Sequence, residues 1–173
     1  MRKTFIFLLI SVVALAMTSC LDNVKSDYTP EIYLTNLYLN PYYVGDTLRA
    51  RDTLALHYST SAEKYVSDTV QVGDTIMFGA LFYSKGNNLL TTRIEWDSTV
   101  MKTWFRLNDE VKKAMSDTTR IAAGYFVFNP IYNQVSYPVY LSPVKSGSHT
   151  VKLTVESDSK YSPYSFGFNL VVR

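Results

Sequence analysis

The chain has 173 residues, with 17 lysines and arginines, 15 aspartates and glutamates and a single cysteine. This length suits one domain with a hydrophobic core, and one cysteine excludes a disulfide within the chain. No run of basic residues is longer than Lys112-Lys113. The basic stripe typical of nucleic-acid-binding proteins is therefore missing, and we expect no nucleic-acid partner.

The first twenty residues have the pattern of a secretory leader. Met1-Arg2-Lys3 is cationic, residues 5–17 are apolar, and Thr18-Ser19-Cys20 follows. An apolar run of roughly 13 residues is too short to cross a bilayer core, which needs ~20. A cationic start, a short apolar stretch and small residues before a cleavage point indicate a signal peptide over residues 1–19. Without Arg2 and Lys3, the remaining chain is formally neutral.

Thr18-Ser19-Cys20 resembles the lipobox of type II signal peptides, in the form found in Bacteroidota-type envelope lipoproteins. The resemblance implies that Cys20 is acylated, with palmitate or a similar chain, and that this lipid attaches the protein to the outer membrane. A secreted protein with a free thiol is the alternative, although an exposed unpaired cysteine is a liability in an oxidising compartment. Residues 20–30 are predicted to form a lipidated tether. The periplasmic and surface faces of the membrane both stay open.

From residue 31 onward, apolar and polar residues alternate with the period of a β-strand. The alternation slips near Thr35-Asn36, which suggests a bulge. Residues 76–83 are apolar on both faces, which predicts a central strand. Pro138 interrupts the strand around 137–141 and predicts an edge position for it. Further strands are predicted over 53–58, 93–97, 122–128, 151–156 and 165–172. Leu107–Met115 reads as one short helix, capped by Asn108.

These elements predict an all-β fold, an antiparallel β-sandwich with one short inserted helix. Val72-Gly73-Asp74-Thr75-Ile76 and residues 146–155 resemble the second-strand start and the penultimate strand of bacterial immunoglobulin-like domains, and Trp96 falls where such domains often bury a tryptophan. The resemblance covers 64–173 and implies an immunoglobulin-like domain over 31–173. Residues 31–60 either add strands to it or form an appendage. Val44-Gly-Asp-Thr in this segment echoes Val72-Gly-Asp-Thr.

Catalytic and metal-binding signals are weak. His57 and His149 would form a zinc site only if they converged with a carboxylate. Two carboxylate pairs, Glu95 with Asp97 and Glu156 with Asp158, stand two residues apart on predicted strands. Glycosidases need two carboxyls about 5–10 Å apart across a cleft, so a hydrolase is the remote alternative. We predict no enzymatic activity, no metal site and no cofactor.

Two sets of residues carry the remaining functional hypotheses. The pattern Asp-Ser/Thr followed by an aliphatic residue or Thr resembles the O-glycosylation acceptor motif of Bacteroidota-type envelope proteins; its candidate acceptors are Thr47, Thr53, Thr69, Thr75, Ser98 and Thr118. Loop aromatics could stack on sugar rings or anchor a protein partner; the candidates are Trp104, Tyr132, Tyr161 and Tyr164. The sequence thus predicts a lipid-anchored, non-catalytic envelope protein that acts as a binding, adhesion or structural module. The alternative is a glycan-binding accessory lipoprotein of a polysaccharide-uptake system.

Overall fold

A computed structural model describes residues 27–173, and these residues form two facing six-stranded sheets and a separate two-stranded hairpin. The strands of the first sheet are β1 (Glu31–Leu34), β2 (Leu37–Leu39), β5 (Asp52–Leu54), β8 (Ile76–Tyr83), β10 (Met101–Phe105) and β12 (Gln134–Pro143). Those of the second are β6 (Leu56–Ser59), β7 (Lys64–Val70), β9 (Leu89–Glu95), β11 (Tyr125–Val127), β13 (Gly147–Ser157) and β14 (Tyr164–Val172). The hairpin joins β3 (Tyr42–Val44) to β4 (Thr47–Arg49).

The hydrophobic core lies between the two sheets. Side chains of alternate residues on β8, β9, β12, β13 and β14 are buried there, as strand geometry requires. The Phe78 ring of the first sheet meets the Phe168 ring of the second at 5.8 Å between centroids. The fold is therefore the predicted immunoglobulin-like β-sandwich. All pairings of its strands are antiparallel except that of β7 with β14, which is parallel.

The N-terminal segment extends both sheets. β1 and β2 pair in tandem with β8, and the register shifts by one residue between them, at the predicted slip. Thr35 fills the gap, because its hydroxyl accepts a hydrogen bond from the Gly79 N–H at 2.7 Å. β5 continues the first sheet, β6 continues the second, and β3–β4 stands apart. Residues 31–60 thus add strands to the sandwich and also form an appendage, which are the two alternatives that the sequence left open.

Three predicted strands differ from the structure. The strand predicted over 53–58 is divided in two, because β5 lies in the first sheet and β6 in the second. β12 is not an edge strand, because it lies between β8 and β10. The Pro138 carbonyl accepts a hydrogen bond from the Arg106 N–H, one residue past the end of β10. The Pro138 nitrogen, which has no N–H to donate, therefore faces the end of the β10–β12 pairing, and the proline is tolerated there. The strand predicted over 122–128 shortens to β11, because Ile121–Ala123 forms a 3₁₀ helix that ends at Gly124 with a φ of 64°.

The predicted helix is present as α1 (Asp109–Ala114). The Asn108 side chain accepts a hydrogen bond from the Val111 N–H at 2.8 Å, which satisfies one of the free donors of the first turn. Val111 and Ala114 are buried against the core, so the helix covers the sandwich between β10 and β11.

The loops gather at two ends of the sandwich. Residues 27–31 meet the turns 84–88, 129–133 and 157–163 at one end, here called the Asp27 end. The turns 71–75, 96–100 and 143–147 lie at the opposite end. β13 runs between the two ends over 11 residues, so they stand about 33 Å apart.

Candidate ligand-binding surfaces

Trp104 forms the centre of an aromatic surface on the outer face of the first sheet. It lies on the edge strand β10, directly opposite Tyr140 on β12. The two rings are stacked, with centroids 5.3 Å apart and planes inclined by 11°. Tyr140 is buried beneath this stack, whereas Trp104 is 43% exposed. The indole is therefore a flat apolar surface held in one orientation and open to solvent.

Tyr43 and Arg106 extend this surface toward the β3–β4 hairpin. The Tyr43 hydroxyl lies 3.5 Å from that of Tyr140, and the Arg106 guanidinium lies 4.7 Å from the centre of the Tyr43 ring. Burial, together with the neighbouring Tyr43 hydroxyl, raises the pKa of Tyr140, so its hydroxyl stays protonated at neutral pH. We call Trp104, Tyr140, Tyr43 and Arg106 the Trp104 surface.

A groove borders the Trp104 surface. It has a volume of about 400 Å³ and is lined by Tyr43, Arg106, Leu107, Asn108, Ser136 and Pro138. This is at the lower end of the range for small-molecule sites, which is about 300–1,000 Å³. The groove combines an aromatic wall with guanidinium, amide and hydroxyl groups, so it offers stacking and hydrogen bonds to one ligand.

The other predicted stacking aromatics do not join Trp104. Tyr132 is half-buried and packs against the core. Tyr161 and Tyr164 are exposed, but they lie at the Asp27 end. The sequence placed Trp104 among the loop aromatics, whereas it lies exposed on the edge strand β10, and the sequence missed Tyr43, Tyr140 and Arg106. Alternation along β10 places Arg106 on the same face as Trp104, whereas the position of Tyr43 depends on how the hairpin folds over the sheet.

Trp96 lies at a second depression, beside β9 and β11 near the end opposite Asp27. The depression has a volume of about 840 Å³ and is lined by Arg93, Glu95, Trp96, Ser98, Thr118 and Arg120 among others. Trp96 is half-buried and its ring contacts Phe105 edge-on at 6.2 Å. It therefore packs on the core margin and does not fill the core.

The predicted carboxylate pairs have structural partners. Glu95 lies 3.8 Å from Arg93 and 3.5 Å from Lys152. Two hydrogen bonds from Thr99 to Asp97 hold the pKa of that carboxyl below its usual value. These contacts place Glu95 in surface ion pairs and Asp97 in a turn.

The carboxylates of the second predicted pair also accept hydrogen bonds from nearby residues. Glu156 accepts a hydrogen bond from Thr91 at 2.6 Å, and Asp158 accepts from the backbone and side chain of Asn88. Neither carboxylate faces an opposed carboxylate across a cleft in these contacts.

The two histidines lie apart. The His57 ring nitrogen is 3.1 Å from an Asp68 carboxylate oxygen, and that of His149 is 2.8 Å from the Lys145 carbonyl oxygen. Hydrogen bonding from the Ala55 N–H, with a contribution from His57, lowers the pKa of Asp68. Across residues 27–173, no three or more His, Cys, Asp and Glu side chains are arranged to hold a metal ion.

The candidate glycosylation acceptors are accessible to different degrees. Thr47, Thr53, Thr69, Ser98 and Thr118 are exposed, whereas Thr75 is half-buried. Thr69, Thr75 and Ser98 lie toward the end opposite Asp27. Cys20 and the leader lie outside the described residues. Within residues 27–173, no helix has the length and hydropathy needed to span a membrane.

Comparisons with known proteins give distant structural similarity alone. No protein-family model matches the sequence, and no curated protein matches it. A FixG-related protein from Vibrio parahaemolyticus is similar with a TM-score of 0.41 and 5% identity, over 84% of this chain and 98% of that one. The ASH/PapD-like domain of human CEP192 has a TM-score of 0.35 and 10% identity, over 76% and 94%. The cupredoxin domain of amoB from Nitrosocaldus yellowstonii has a TM-score of 0.33 and 15% identity, over 57% and 56%. The TM-scores of these three structures are below 0.5, so the similarities assign neither a family nor a function.

Proposed function

We propose that this protein is a lipid-anchored, non-catalytic binding module of the bacterial cell envelope, and that the Trp104 surface takes a glycan. The observation that carries the ligand class is the solvent-open Trp104 ring, stacked on Tyr140 beside a groove lined by Arg106. The apolar face of a sugar ring stacks on an aromatic ring, and its hydroxyls need nearby hydrogen-bonding groups. A protein partner that inserts an apolar side chain at Trp104 is the second candidate.

Arg106 refines the expected chemistry of the glycan. Its guanidinium carries a permanent positive charge and offers donors that match a carboxylate. It lies beside Tyr43 on the same face as Trp104. We therefore expect polysaccharides that contain uronic acids to bind more strongly than neutral ones, and this preference to weaken at high salt.

Native affinity electrophoresis tests this proposal directly. The protein is run through gels that contain either a neutral or a uronate-containing polysaccharide. We expect retardation of the wild-type protein and its loss in Trp104→Ala. Tyr58→Ala, which removes an exposed tyrosine on the second sheet, serves as the matched control and should leave retardation unchanged.

Fluorescence supplies an independent readout, because the chain has two tryptophans, Trp96 and Trp104. A ligand that stacks on Trp104 should change the emission of the wild-type protein and leave that of Trp104→Phe unchanged. If no polysaccharide retards the protein or alters its emission, the glycan proposal is wrong. Crosslinking from the Trp104 surface in whole cells would then test the protein partner.

The anchor is tested separately from the ligand. Cells that express the full chain are fed a labelled fatty acid, and we expect incorporation that disappears in Cys20→Ser. Digestion of intact cells with a proteinase, against a periplasmic control protein, then assigns the face of the membrane. Cleavage indicates the cell surface, and protection indicates the periplasm. Absence of the label from the wild-type protein would contradict the proposed anchor.

A further inference from the structure

The Asp27 end carries a group of exposed apolar and aromatic side chains next to the point where the chain enters the sandwich. Ile131 is 78% exposed and Tyr161 is 53% exposed, and Tyr28 and Tyr164 are also exposed. Tyr28, Tyr161 and Tyr164 border a depression of about 410 Å³. We call Tyr28, Ile131, Tyr161 and Tyr164 the Tyr28 surface.

Two hydrogen bonds fix the chain segments that carry Tyr28 and Ile131 at the Asp27 end. The Ser159 hydroxyl donates to the Tyr28 carbonyl at 2.8 Å, which fixes the entering chain against the 157–163 turn. The Ser84 N–H donates to the Asn133 carbonyl at 2.8 Å, which fixes the loop that carries Ile131 beside the 84–88 turn. Residues 27–30, assigned to the tether from sequence, are thereby part of the domain, and Pro30 is buried.

Two of the lysines at this end are paired with carboxylates. Lys85 forms an ion pair with Glu31, and Lys160 forms one with Asp27 at 2.6 Å. The Lys160 ammonium also lies 5.0 Å from the centre of the Tyr161 ring. The apolar groups and phenol hydroxyls of the Tyr28 surface therefore lie beside two lysines whose positive charges are balanced by carboxylates.

We infer that the Tyr28 surface rests on the lipid headgroups of the membrane that anchors the protein. This inference depends on the proposed acylation of Cys20. Seven residue steps separate Cys20 from Asp27, and a fully extended chain of that length spans at most about 25 Å. The Asp27 end is thus held close to the bilayer, while the opposite end stands about 33 Å farther along the sandwich.

The chemistry of the Tyr28 surface matches that location. Tyrosine is enriched at membrane interfaces because its ring is apolar and its hydroxyl is polar. Lysines beside it can keep their stems on apolar groups and their ammonium groups in the headgroups. Because the lysines are paired with carboxylates, the interaction is driven by the aromatic and apolar groups. It therefore needs no anionic lipid and changes little with salt.

This arrangement has a consequence for the Trp104 surface. When the Asp27 end faces the bilayer, the long axis of the sandwich points away from the membrane and both outer sheet faces are left open to ligands. The acceptors Thr69, Thr75 and Ser98 then lie toward the end that faces away from the bilayer.

Headgroup quenching of an introduced tryptophan tests the inference on the full lipidated protein. The protein is reconstituted into phosphatidylcholine vesicles that carry a nitroxide on a fraction of the headgroups. We expect the fluorescence added by Ile131→Trp to be mostly lost in these vesicles. Val72→Trp is the matched control, because Val72 is an exposed apolar residue in a turn at the opposite end, and its added fluorescence should be retained.

A second pair of variants separates a membrane contact from simple proximity. In the Ile131→Trp background, Tyr161→Ser should reduce quenching, whereas Tyr58→Ser, which removes a comparably exposed tyrosine from β6, should not. Circular dichroism of each variant confirms that the sandwich is folded. Equal quenching in both double variants would show that the tyrosine does not hold the domain on the membrane and would overturn the inference.

Flotation of the vesicles distinguishes failure of the inference from failure of the anchor. A protein that floats with the vesicles but shows no selective quenching at position 131 keeps its anchor and loses the proposed membrane contact. A protein that does not float has no lipid anchor, and the inference fails with it. Crosslinking of Lys160 between two copies, with position 131 unquenched, would assign the Tyr28 surface to a second copy of the chain and overturn its assignment to lipid.

Discussion

A buried hydrogen bond joins the two sheets inside the core, and its removal should reveal how far buried polar pairs stabilise this sandwich. Tyr137 on β12 and Thr92 on β9 lie in opposite sheets, and their hydroxyl oxygens are 2.7 Å apart. Tyr137 is 1% exposed and Thr92 is fully buried. Neither hydroxyl can therefore exchange its partner for bulk water in the folded state.

The structure lets us work out the cost of each change. Tyr137→Phe keeps the ring, which packs 4.8 Å from Phe126 and 5.5 Å from Phe82 between centroids, so no cavity opens. It leaves the Thr92 hydroxyl buried without its partner, which costs about 1–3 kcal/mol. Thr92→Val leaves the Tyr137 hydroxyl in the same position, at a similar cost. The double variant removes both polar groups, so we expect it to lose less than about 1 kcal/mol.

Urea unfolding of the four proteins measures this double-mutant cycle. The expected result is a coupling free energy of at least about 1 kcal/mol between the two positions, with unchanged denaturant slopes. Thr154 and Ser165 provide a matched control, because their hydroxyls are 2.9 Å apart on the exposed outer face of the second sheet. Their cycle should show coupling below about 0.5 kcal/mol. If the Tyr137 and Thr92 costs simply add, the bond does not stabilise the core and the reasoning is wrong.

Four further predictions test other parts of the structure. Burial raises the pKa of Tyr137, so this phenol ionises in the unfolded chain at a lower pH than in the folded protein. Above about pH 10, the free energy of unfolding of the wild-type protein should therefore fall more steeply than that of Tyr137→Phe, by up to about 1.4 kcal/mol per pH unit. Urea unfolding at a series of pH values measures this difference, and parallel profiles of the two proteins would contradict it. In Gly124→Ala, the new Cβ would lie 2.3 Å from a backbone carbonyl oxygen of β9, at a residue whose φ is 64°. In Gly73→Ala the new Cβ meets open space, so only the backbone conformation costs stability, by about 1–2 kcal/mol. We therefore expect a lower midpoint of thermal unfolding for Gly124→Ala than for Gly73→Ala. Thr103→Val removes a buried hydroxyl that has no hydrogen-bond partner among the described residues, so urea unfolding should show unchanged stability or a gain of up to about 1 kcal/mol. A loss of stability of more than about 1 kcal/mol would show that the hydroxyl has a partner. Asn108→Ala should cost about 1 kcal/mol and Asn108→Asp much less, since aspartate also caps the helix, and equal losses would argue against the cap.

Local patterns in the sequence were enough to predict the class of the fold. Alternation places Ile76, Phe78 and Phe82 on one face of β8, and burying that face requires a second sheet. Asn108 and the charged residues after it define α1, because capping depends on neighbours within one turn. The slip at Thr35 marks the β-bulge for the same reason, since register is a local property of the strand.

Strand order and side-chain contacts across the chain were decided by the tertiary structure. Pro138 predicted an edge strand, but its effect depends on which neighbour its missing N–H would face, and that is set by where β10 ends. The segment 122–128 begins with Ala122-Ala123-Gly124, which are residues depleted in strands, and the chain turns at Gly124 before β11 pairs with β9. The position of Pro138 relative to the end of β10 is not visible in a short window of sequence.

The candidate surfaces show the same division. The sequence singled out Trp104 and Tyr161 as loop aromatics; Tyr161 lies in a turn, whereas Trp104 lies on the edge strand β10, and both are exposed. It could not predict that Trp104 meets Tyr140 and Tyr43, or that Tyr161 lies beside the entering chain, because these residues are joined through pairings between distant segments. Composition and periodicity determine which side chains face solvent, whereas strand pairing determines which of them stand together to form a surface.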